Sequence, residues 1–309
     1  MKQALVFPGQ GSQYVGMGKD WYDNFEIARK MYDQADSVVG INISKISFAG
    51  PEDDIKKTAI TQPAIFIHSA VAYEVLKERL GGKFQISAAA GHSLGEYSAL
   101  YAAGSIDFAE CLRLVRFRGE LMQWCGEVRP GTMAAIIGLD EKRVGMICNE
   151  ISNEGVVQPA NFNSPGQVVI SGDVPAVKLA MERCKSEGAK MVKELFVSGA
   201  FHSPLMEPAL KEFEKALERA IIKSPRFPVY SNVTAQPVRD ALSIRKLLLE
   251  QLTKPVLWYQ SIENMRAVGI NIFLEVGPGK VLQGLIKRIC AECETYGVDK
   301  LSDLKSFAS

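Results

Sequence analysis

The chain has 309 residues, a net charge of +1 and 47% hydrophobic residues. This balance is typical of a globular protein with one large or two modest domains, and it provides no strong field to attract nucleic acid or anionic membranes. No apolar run reaches the ~18 residues of a membrane span, and the N-terminal run ends at Pro8, too early for a signal peptide. The sequence therefore predicts a cytoplasmic protein with no nucleic-acid partner and no membrane partner.

Short apolar strands alternate with longer helices in the first and last parts of the chain. This alternation favours an α/β domain with a mainly parallel sheet. The predicted strands are ALVF (4–7), ISAAAG (86–91), PVYSNV (228–233) and NIFLEV (271–276). The predicted helices cover about residues 20–39, 62–80, 94–103, 108–122, 204–222, 243–252 and 258–267, and one more follows Gly279.

The middle of the chain has a different order of predicted strands and helices. From about residue 131 to residue 193 the segments TMAAIIGL, DEKRVGMICNEIS, VVQPANF, GQVVISG, VPAVKLAMERCKSEG and AKMVKEL follow in the order β-α-β-β-α-β. That order is the ferredoxin-like split βαβ arrangement. The sequence therefore predicts a small domain inserted in the larger one.

Six scattered cysteines show no disulfide framework for a chain of this size. Cys290 and Cys293 form a C-x-x-C pair, but the pair lies in a helical pattern without a preceding βαβ unit. We interpret them as two small helix residues one turn apart, and not as a redox pair.

Residues 88–104, AAAGHSLGEYSALYAAG, place a serine between two glycines, after a small-residue strand and before a helix. This is the context of a nucleophile elbow, so Ser93 is a candidate nucleophile. The helix N-terminus behind it brings partial positive charge, and the backbone N–H of Leu94 is positioned to bind an oxyanion. The alternative is a tight strand–helix turn in which Ser93 only caps the helix.

A serine nucleophile needs a base, and the chain has three histidines. His92 adjoins Ser93, so its ring is expected to point away from the turn and to serve a structural role. His68 lies on an amphipathic helix and is expected in the core. His202 lies between a strand-like segment and a helix, where α/β folds carry catalytic groups, and by elimination it is the predicted base. Its alternative is a histidine that caps the helix after it.

An ordinary α/β hydrolase would place a catalytic acid between the serine and the histidine in chain order. The candidates Asp107, Asp140 and Asp173 are each explained as helix starts. A carbonyl group in place of the acid, or no third member, is therefore expected. This weakens the plain hydrolase interpretation.

The glycine-rich loop GQGSQYVGMG (9–18) does not carry a dinucleotide fingerprint, because Tyr14 stands where the third glycine is needed. No phosphate-binding P-loop is present either, so no cofactor is expected. Gln10 and the backbone of this loop are instead candidates for oxyanion binding. Arg118 lies on the predicted 108–122 helix, where most arginines are solvated or paired.

Seven ordered segments resemble the malonyl-CoA:acyl carrier protein transacylases of bacterial type II fatty acid synthesis. They are FPGQGSQYVGMG, TQPAIF, GHSLGEYSAL, MAAIIGL, NFNSPGQVVISG, FHSPLM and EVGPGKVL. The resemblance runs collinearly from residue 4 to about residue 290. It implies an α/β fold with an α/β-hydrolase-like catalytic domain (1–127 and 197–309) and a ferredoxin-like inserted domain (128–196), in agreement with the pattern above.

The resemblance also implies roles for individual residues. Ser93 takes the malonyl group as an ester, and His202 is its base. The backbone carbonyl of Gln251 orients His202 in place of an aspartate, which fits the missing acid. Backbone N–H groups of Gln10 and Leu94 bind the oxyanion.

Three further residues are implied to contact the substrate. Arg118 holds the free carboxylate of the malonyl group in a bidentate geometry that lysine lacks. Phe201, within Ala-Phe-His, accompanies malonyl rather than methylmalonyl in polyketide relatives. Asn161 faces the cleft in relatives.

The implied partners are malonyl-CoA, which is a substrate and not a cofactor, and acyl carrier protein; no metal is implied, and a monomer is expected. Because carrier proteins are acidic, Lys287 and Arg288 are candidates for a basic docking patch, and a solvated helix face explains them equally well. Three rival functions stay open: a serine esterase or thioesterase, a non-catalytic carrier-binding module, and a polyketide acyltransferase acting in trans.

Overall fold

The computed structural model describes residues 2–81 and 84–307. The strands in these ranges are β1 Lys2–Phe7, β2 Ala88–Gly91, β3 Gly131–Ile137, β4 Val157–Ser164, β5 Gln167–Asp173, β6 Met191–Glu194, β7 Val229–Tyr230, β8 Pro237–Val238, β9 Ile270–Val276 and β10 Glu294–Val298. The α-helices are α1 Lys19–Asn24, α2 Glu26–Val39, α3 Ile43–Ala49, α4 Glu52–Ile55, α5 Thr58–Leu80, α6 Gly95–Ala102, α7 Phe108–Val128, α8 Glu141–Glu150, α9 Val174–Ser186, α10 Glu207–Arg219, α11 Ala241–Glu250, α12 Trp258–Ala267 and α13 Val281–Ile289.

The larger sheet has six strands in the order β10-β9-β1-β2-β7-β8. All its neighbouring pairs are parallel except β7 and β8, which are antiparallel. Residues 4–7 of β1 are fully buried, with Leu5 and Phe7 in one hydrophobic core and Ala4 and Val6 in another. A parallel strand covered on both faces requires such a continuous apolar run. The predicted α/β class with a mainly parallel sheet is confirmed.

The smaller sheet has four antiparallel strands in the order β4-β5-β3-β6. Helices α8 and α9 pack on it around a separate apolar core that includes Ile136, Val144 and Ile170. This is the ferredoxin-like topology, so that prediction is confirmed. The exact domain boundaries at 128 and 196 stay a prediction; α7 ends at Val128 and β6 ends at Glu194.

Several helix starts follow the predicted caps. The side chains of Asp107 and Asp140 accept hydrogen bonds from backbone N–H groups in the first turns of α7 and α8. Asp173 also stands at the start of a helix, but its carboxylate binds Arg129 at 3.0 and 2.8 Å instead of capping α9. Within residues 2–81 and 84–307, no helix combines the length and the apolar character that crossing a membrane requires.

Some expectations for the helices are wrong. The helix predicted at 20–39 breaks at Phe25, whose backbone is extended, and becomes α1 and α2. The interpretation of Cys290 and Cys293 as helix residues is also wrong, because α13 ends at Ile289 and the backbone turns extended at Cys290. The two sulfurs form a disulfide in the turn that leads to β10, a strand the sequence patterns did not predict.

Candidate active site

The carboxyl ends of three neighbouring parallel strands meet at one edge of the larger sheet. Phe7 at the end of β1 pairs with Gly91 at the end of β2, and β7 lies on the other side of β2. The loops that follow these strands carry Gln10, Ser93 and Asn232. Ligands of open α/β sheets bind at such an edge, where loops from several strands converge.

The turn at Ser93 is tight and depends on two glycines. A Cβ atom on Gly91 would lie 1.8 Å from the carbonyl carbon of Gly95, and one on Gly95 would lie 2.1 Å from the carbonyl oxygen of Phe7. Ser93 itself has φ +52°, a left-handed conformation that side chains other than glycine rarely adopt. Its hydroxyl makes no cap bond to α6, so the helix-cap alternative does not describe this serine.

Asn232 fixes this turn from β7. Its Oδ1 accepts a hydrogen bond from the backbone N–H of Ser93 at 2.7 Å, and its Nδ2 donates to the carbonyl oxygen of Gly91 at 2.7 Å. The two bonds clamp the backbone on both sides of the strained residue. The left-handed φ of Ser93 is therefore held by specific partners, as strained functional residues generally are.

Ser93, His202 and Gln251 form a hydrogen-bonded chain. Ser93 Oγ lies 2.8 Å from His202 Nε2, and His202 Nδ1 lies 2.7 Å from the backbone oxygen of Gln251. A carbonyl oxygen only accepts, so Nδ1 carries the ring proton and Nε2 is free to accept from the serine hydroxyl. Ser203, not His202, caps the turn that follows.

The surroundings of His202 keep its ring neutral. Burial, and secondly the positive charge of Arg118, lower the pKa of His202 to about 3, although the hydrogen bond to Gln251 O acts in the opposite direction. The imidazole is therefore unprotonated at neutral pH. An unprotonated Nε2 beside a hydroxyl is the state that a general base requires.

Arg118 is fully buried and points at the same serine. Its Nη2 donates to Ser93 Oγ at 3.1 Å and to Gln251 Oε1 at 3.0 Å, and its Nη1 donates to Gln62 Oε1 at 2.7 Å. No carboxylate of the described residues forms an ion pair with it within 4.0 Å. A buried guanidinium held only by neutral groups is suited to an anionic ligand.

Arg118 differs in this from the other arginines of α7. Arg113 and Arg116 form ion pairs with Glu110 and Glu120 along the helix surface. They follow the ordinary pattern for helix arginines. Arg118 is distinguished by its buried contacts with Ser93, Gln62 and Gln251, and these could not be read from the helix sequence alone.

Two backbone N–H groups near Ser93 have no acceptor among residues 2–81 and 84–307. They belong to Gln10 and to Leu94. The Gln10 side chain is occupied separately, since its Nε2 donates to Thr58 Oγ1 at 3.1 Å. Free backbone donors beside a nucleophile are the components of an oxyanion hole.

A cavity of about 100 Å³ opens above the serine. Asn161 and Phe201, each 5% exposed, lie in its wall together with Met133 and Leu195. The predicted residues Ser93, His202, Arg118, Gln10 and Leu94 also line it. The structure thus brings the sequence-predicted site residues together, with Gln251 directly behind His202 and Arg118.

His92 also lines this cavity, and its Nε2 lies 2.8 Å from Asn163 Oδ1. The other predicted residues lie outside the cavity wall: the buried His68 lies 3.2 Å from Asp299. Lys287 donates to the backbone oxygen of Cys293. Arg288 donates to Gln167 Oε1 at 2.6 Å, on the four-stranded sheet.

Sequence reasoning missed three residues that hold this site: Gln62, Glu96 and Asn232. Glu96 lies within the GHSLGEY segment, three residues after Ser93, and this spacing of one helical turn is the signal that could have identified it. Asn232 follows a predicted strand, and its place at the carboxyl edge was the available signal. Among residues 2–81 and 84–307, no group of three or more His, Cys, Asp or Glu side chains is placed to hold a metal ion.

Comparisons with known proteins agree with this geometry. The chain matches the family model of the acyl transferase domain over residues 4–303. It is 41% identical over 298 residues to the malonyl CoA-acyl carrier protein transacylase of Bacillus subtilis (strain 168). The matched region covers 96% of this chain and 93% of the relative.

Two solved structures are similar along the whole chain. The acyl carrier protein S-malonyltransferase of Vibrio cholerae O1 biovar eltor has a TM-score of 0.94 and 41% identity, and the match covers 99% of this chain and 100% of that one. A malonyl-transacylase in complex with its holo type II PKS acyl-carrier protein has a TM-score of 0.95 and 41% identity, with coverage of 99% and 98%.

Proposed function

The chain belongs to the acyl transferase domain family, and from this premise we propose that it moves a malonyl group from malonyl-CoA to the thiol of acyl carrier protein through an ester on Ser93. One observation carries the proposal: the Ser93 hydroxyl lies 2.8 Å from His202 Nε2 and 3.1 Å from Arg118 Nη2. A nucleophile between a neutral base and a buried cation suits an acyl group that bears its own carboxylate.

In the first half-reaction, Ser93 Oγ attacks the thioester carbonyl carbon while its proton passes to His202 Nε2. The carbonyl of Gln251 accepts from Nδ1–H and stabilises the imidazolium that forms. The N–H groups of Gln10 and Leu94 bind the oxyanion. When the carbon–sulfur bond breaks, the proton moves from His202 to the leaving CoA sulfur, and the malonyl ester of Ser93 remains.

The second half-reaction runs the same steps toward the carrier. The carrier thiol gives its proton to His202 Nε2 and attacks the ester carbonyl carbon, and the proton then returns to Ser93 Oγ as the ester bond breaks. Thioester and ester differ modestly in free energy, so both halves are reversible. The apolar side chains of Phe201, Met133 and Leu195 wall the cleft, and a site that keeps water unproductive favours the carrier thiol over hydrolysis.

Arg118 selects the acyl group. Its buried guanidinium pairs with the malonyl carboxylate, and acetyl groups leave the charge without an anion. Leaving a buried charged donor unpaired costs about 1–3 kcal/mol or more, which corresponds to roughly a tenfold to hundredfold preference. Phe201 and Asn161 shape the wall against which the acyl chain lies.

The test is a transfer assay with malonyl-CoA and holo acyl carrier protein that measures malonyl-carrier and free malonate together. We expect malonyl-carrier to form much faster than malonate, and carrier lacking the phosphopantetheine arm to accept nothing. Malonate release at an equal rate without any carrier would instead favour a serine thioesterase. Carrier binding without acyl transfer would favour a binding module.

A polyketide carrier is the second candidate acceptor, because one similar structure is a malonyl-transacylase bound to a type II PKS acyl-carrier protein. Comparing kcat/KM for a fatty-acid carrier and a polyketide carrier from the source organism separates the two. We further propose that the protein is a cytoplasmic monomer that needs no metal or cofactor. Sedimentation velocity tests whether it is a monomer, and activity after exhaustive chelation tests whether it needs a metal.

A further inference from the structure

A buried carboxylate lies beneath the nucleophile and has no part in the steps above. Glu96 stands in the first turn of α6, three residues after Ser93, and is 3% exposed. Burying a carboxylate costs free energy unless hydrogen bonds and nearby charge compensate for it. The contacts of Glu96 therefore indicate what it does.

Two donors converge on one oxygen of Glu96. Its Oε2 accepts from the backbone N–H of Asn232 at 3.0 Å and from Gln251 Nε2 at 2.8 Å. Asn232 is the residue that clamps the Ser93 turn. Glu96 thus contacts Asn232, which holds the Ser93 turn, and Gln251, which holds His202.

Gln251 serves two parts of the site with two different groups. Its backbone oxygen accepts from His202 Nδ1 at 2.7 Å, whereas its side-chain Oε1 accepts from Arg118 Nη2 at 3.0 Å. The side-chain Nε2 donates to Glu96 Oε2 at 2.8 Å and, over longer distances of 3.1 and 3.2 Å, to the backbone oxygen of Ser93 and to Asn232 Oδ1. Glu96 is the charged acceptor of the three and makes the shortest bond, so it is the strongest of the contacts that fix which way the amide faces. With the amide reversed, an N–H group would face the Arg118 guanidinium and the contact would be lost.

The amide also keeps two opposite charges apart. A direct ion pair between Glu96 and Arg118 would satisfy the guanidinium and remove its attraction for a substrate carboxylate. With the Gln251 amide between them, the charge of Glu96 compensates the buried cation through one neutral group, and Arg118 stays open toward Ser93. This arrangement resembles the outer hydrogen bonds that orient primary ligands at other sites.

We propose that Glu96 is a positioning residue for acyl transfer: it holds the Gln251 side chain, and Gln251 holds both His202 and Arg118. The proposal rests on the proposed function, since it assigns Glu96 to the same reaction. Glu96 touches neither substrate nor reacting atoms and acts only through its neighbours.

The ionisation of Glu96 gives the proposal a pH signature. The charged or titratable groups that face it are Arg118 from α7, Tyr97 on its own helix and His202 behind Gln251. Burial raises the pKa of Glu96 to about 7, against the lowering effect of the Asn232 and Gln251 hydrogen bonds and of Arg118. Because His202 has a pKa of about 3, an acid limb of the transfer rate near pH 7 belongs to Glu96.

The raised pKa of Glu96 also determines how the free energy of unfolding changes with pH. The folded-state pKa of about 7 lies above the ordinary 4.5, so the contribution of Glu96 to stability is complete below pH 4.5 and is lost as pH rises through 7. A glutamine at this position escapes that loss. At pH 8 we therefore expect Glu96→Gln to melt no lower than the wild type.

The experiment compares Glu96→Gln with Glu275→Gln. Glu275 is also fully buried, but its oxygens accept from Leu282 and Gln283 at the start of α13, outside the catalytic cleft. We expect Glu96→Gln to lower kcat/KM for malonyl transfer at least tenfold, to lower the malonyl-to-acetyl ratio and to lose the limb near pH 7. The control should keep the ratio and the limb.

A double-mutant cycle with Gln251→Ala, which keeps the backbone carbonyl, tests whether Glu96 acts through Gln251. We expect the second substitution to add little to the first. Fully additive losses, or a Glu96→Gln protein within twofold of the wild type with an unchanged limb, would overturn the inference alone. A wild-type protein that forms no malonyl ester on Ser93 would overturn the proposed function as well.

Discussion

The two sheets contribute different things to one cleft. The parallel sheet and its helices supply the groups that react or carry charge, Ser93, His202 and Arg118. The four-stranded sheet supplies wall residues, among them Met133 and Asn161. The difference teaches that the reacting groups lie where parallel strands end and loops converge, whereas the small sheet contributes part of the pocket wall.

The two regions also differ in what stabilises them. Under the nucleophile, the buried polar side chains of Gln251 and Asn232 are each held by several hydrogen bonds. The small sheet is held by an apolar core that includes Ile136 and Ile170. Substitutions in the first region should therefore change the rate of transfer or the preference for an acyl carboxylate, and substitutions in the second should change the fit of larger acyl groups or the stability.

The largest expected effect is that of Ser93→Ala. Removing the nucleophile should lower malonyl transfer by on the order of 10³-fold or more, since no covalent intermediate can form. Ser98→Ala is the matched control, because the Ser98 hydroxyl is buried on α6, the helix that follows Ser93, and has no hydrogen-bond partner among the described residues. Comparable losses in both variants would show that the effect does not come from the Ser93 hydroxyl.

Arg118→Ala should have the next largest effect, and a selective one. Malonyl transfer should fall roughly 10²-fold as the carboxylate loses its partner, while acetyl transfer is kept or improves because no unpaired charge remains buried. Steady-state kinetics with both CoA thioesters measures the ratio. Arg116→Ala, which removes a partly exposed ion pair with Glu120 and a 3.4 Å hydrogen bond to the backbone oxygen of Ala59, should leave the ratio unchanged.

Met133→Ala tests the wall that the small sheet provides. Removing this buried side chain should widen the cavity and raise the methylmalonyl-to-malonyl ratio by up to about tenfold, the usual value of one methyl group in a pocket. Competition between the two CoA thioesters reports the ratio. Met146→Ala, on the exposed face of α8, is the control; an equal shift there would mean that the wall does not set the ratio.

Ile170→Ala should have the smallest effect on catalysis and a large one on stability. Ile170 is fully buried in the core of the small sheet, so its truncation should cost about 2–5 kcal/mol of the free energy of unfolding. Urea denaturation measures the loss, and kcat on the folded fraction should stay near the wild-type value. A kcat that falls with stability would show that the two regions are not separable.

Local patterns predicted the elements and the nucleophile well. Ser93 was indicated by its strand–turn–helix context, and His202 by a count of three histidines, because both signals are short-range. Asp107 and Asp140 were recognised as helix caps for the same reason. The order β-α-β-β-α-β was enough to predict the small sheet.

Long-range contacts were beyond those patterns. Arg118 and Gln251 are predicted only through the family resemblance, since their hydrogen-bond partners lie 19 to 158 residues away in sequence. Glu96 was missed because its burial depends on Asn232 and Gln251, which approach from another strand and another helix. The Cys290–Cys293 error arose because a helical pattern does not show where a helix must end for the next strand to begin.

The central claim is that Ser93 carries a malonyl group that Arg118 has selected. Intact-mass analysis after brief mixing with malonyl-CoA, acetyl-CoA or methylmalonyl-CoA tests it most directly. The account predicts one malonyl adduct per chain, located on the peptide that contains Ser93, with far less adduct from acetyl-CoA. An adduct that persists in Ser93→Ala, or equal labelling by acetyl-CoA and malonyl-CoA, would contradict it.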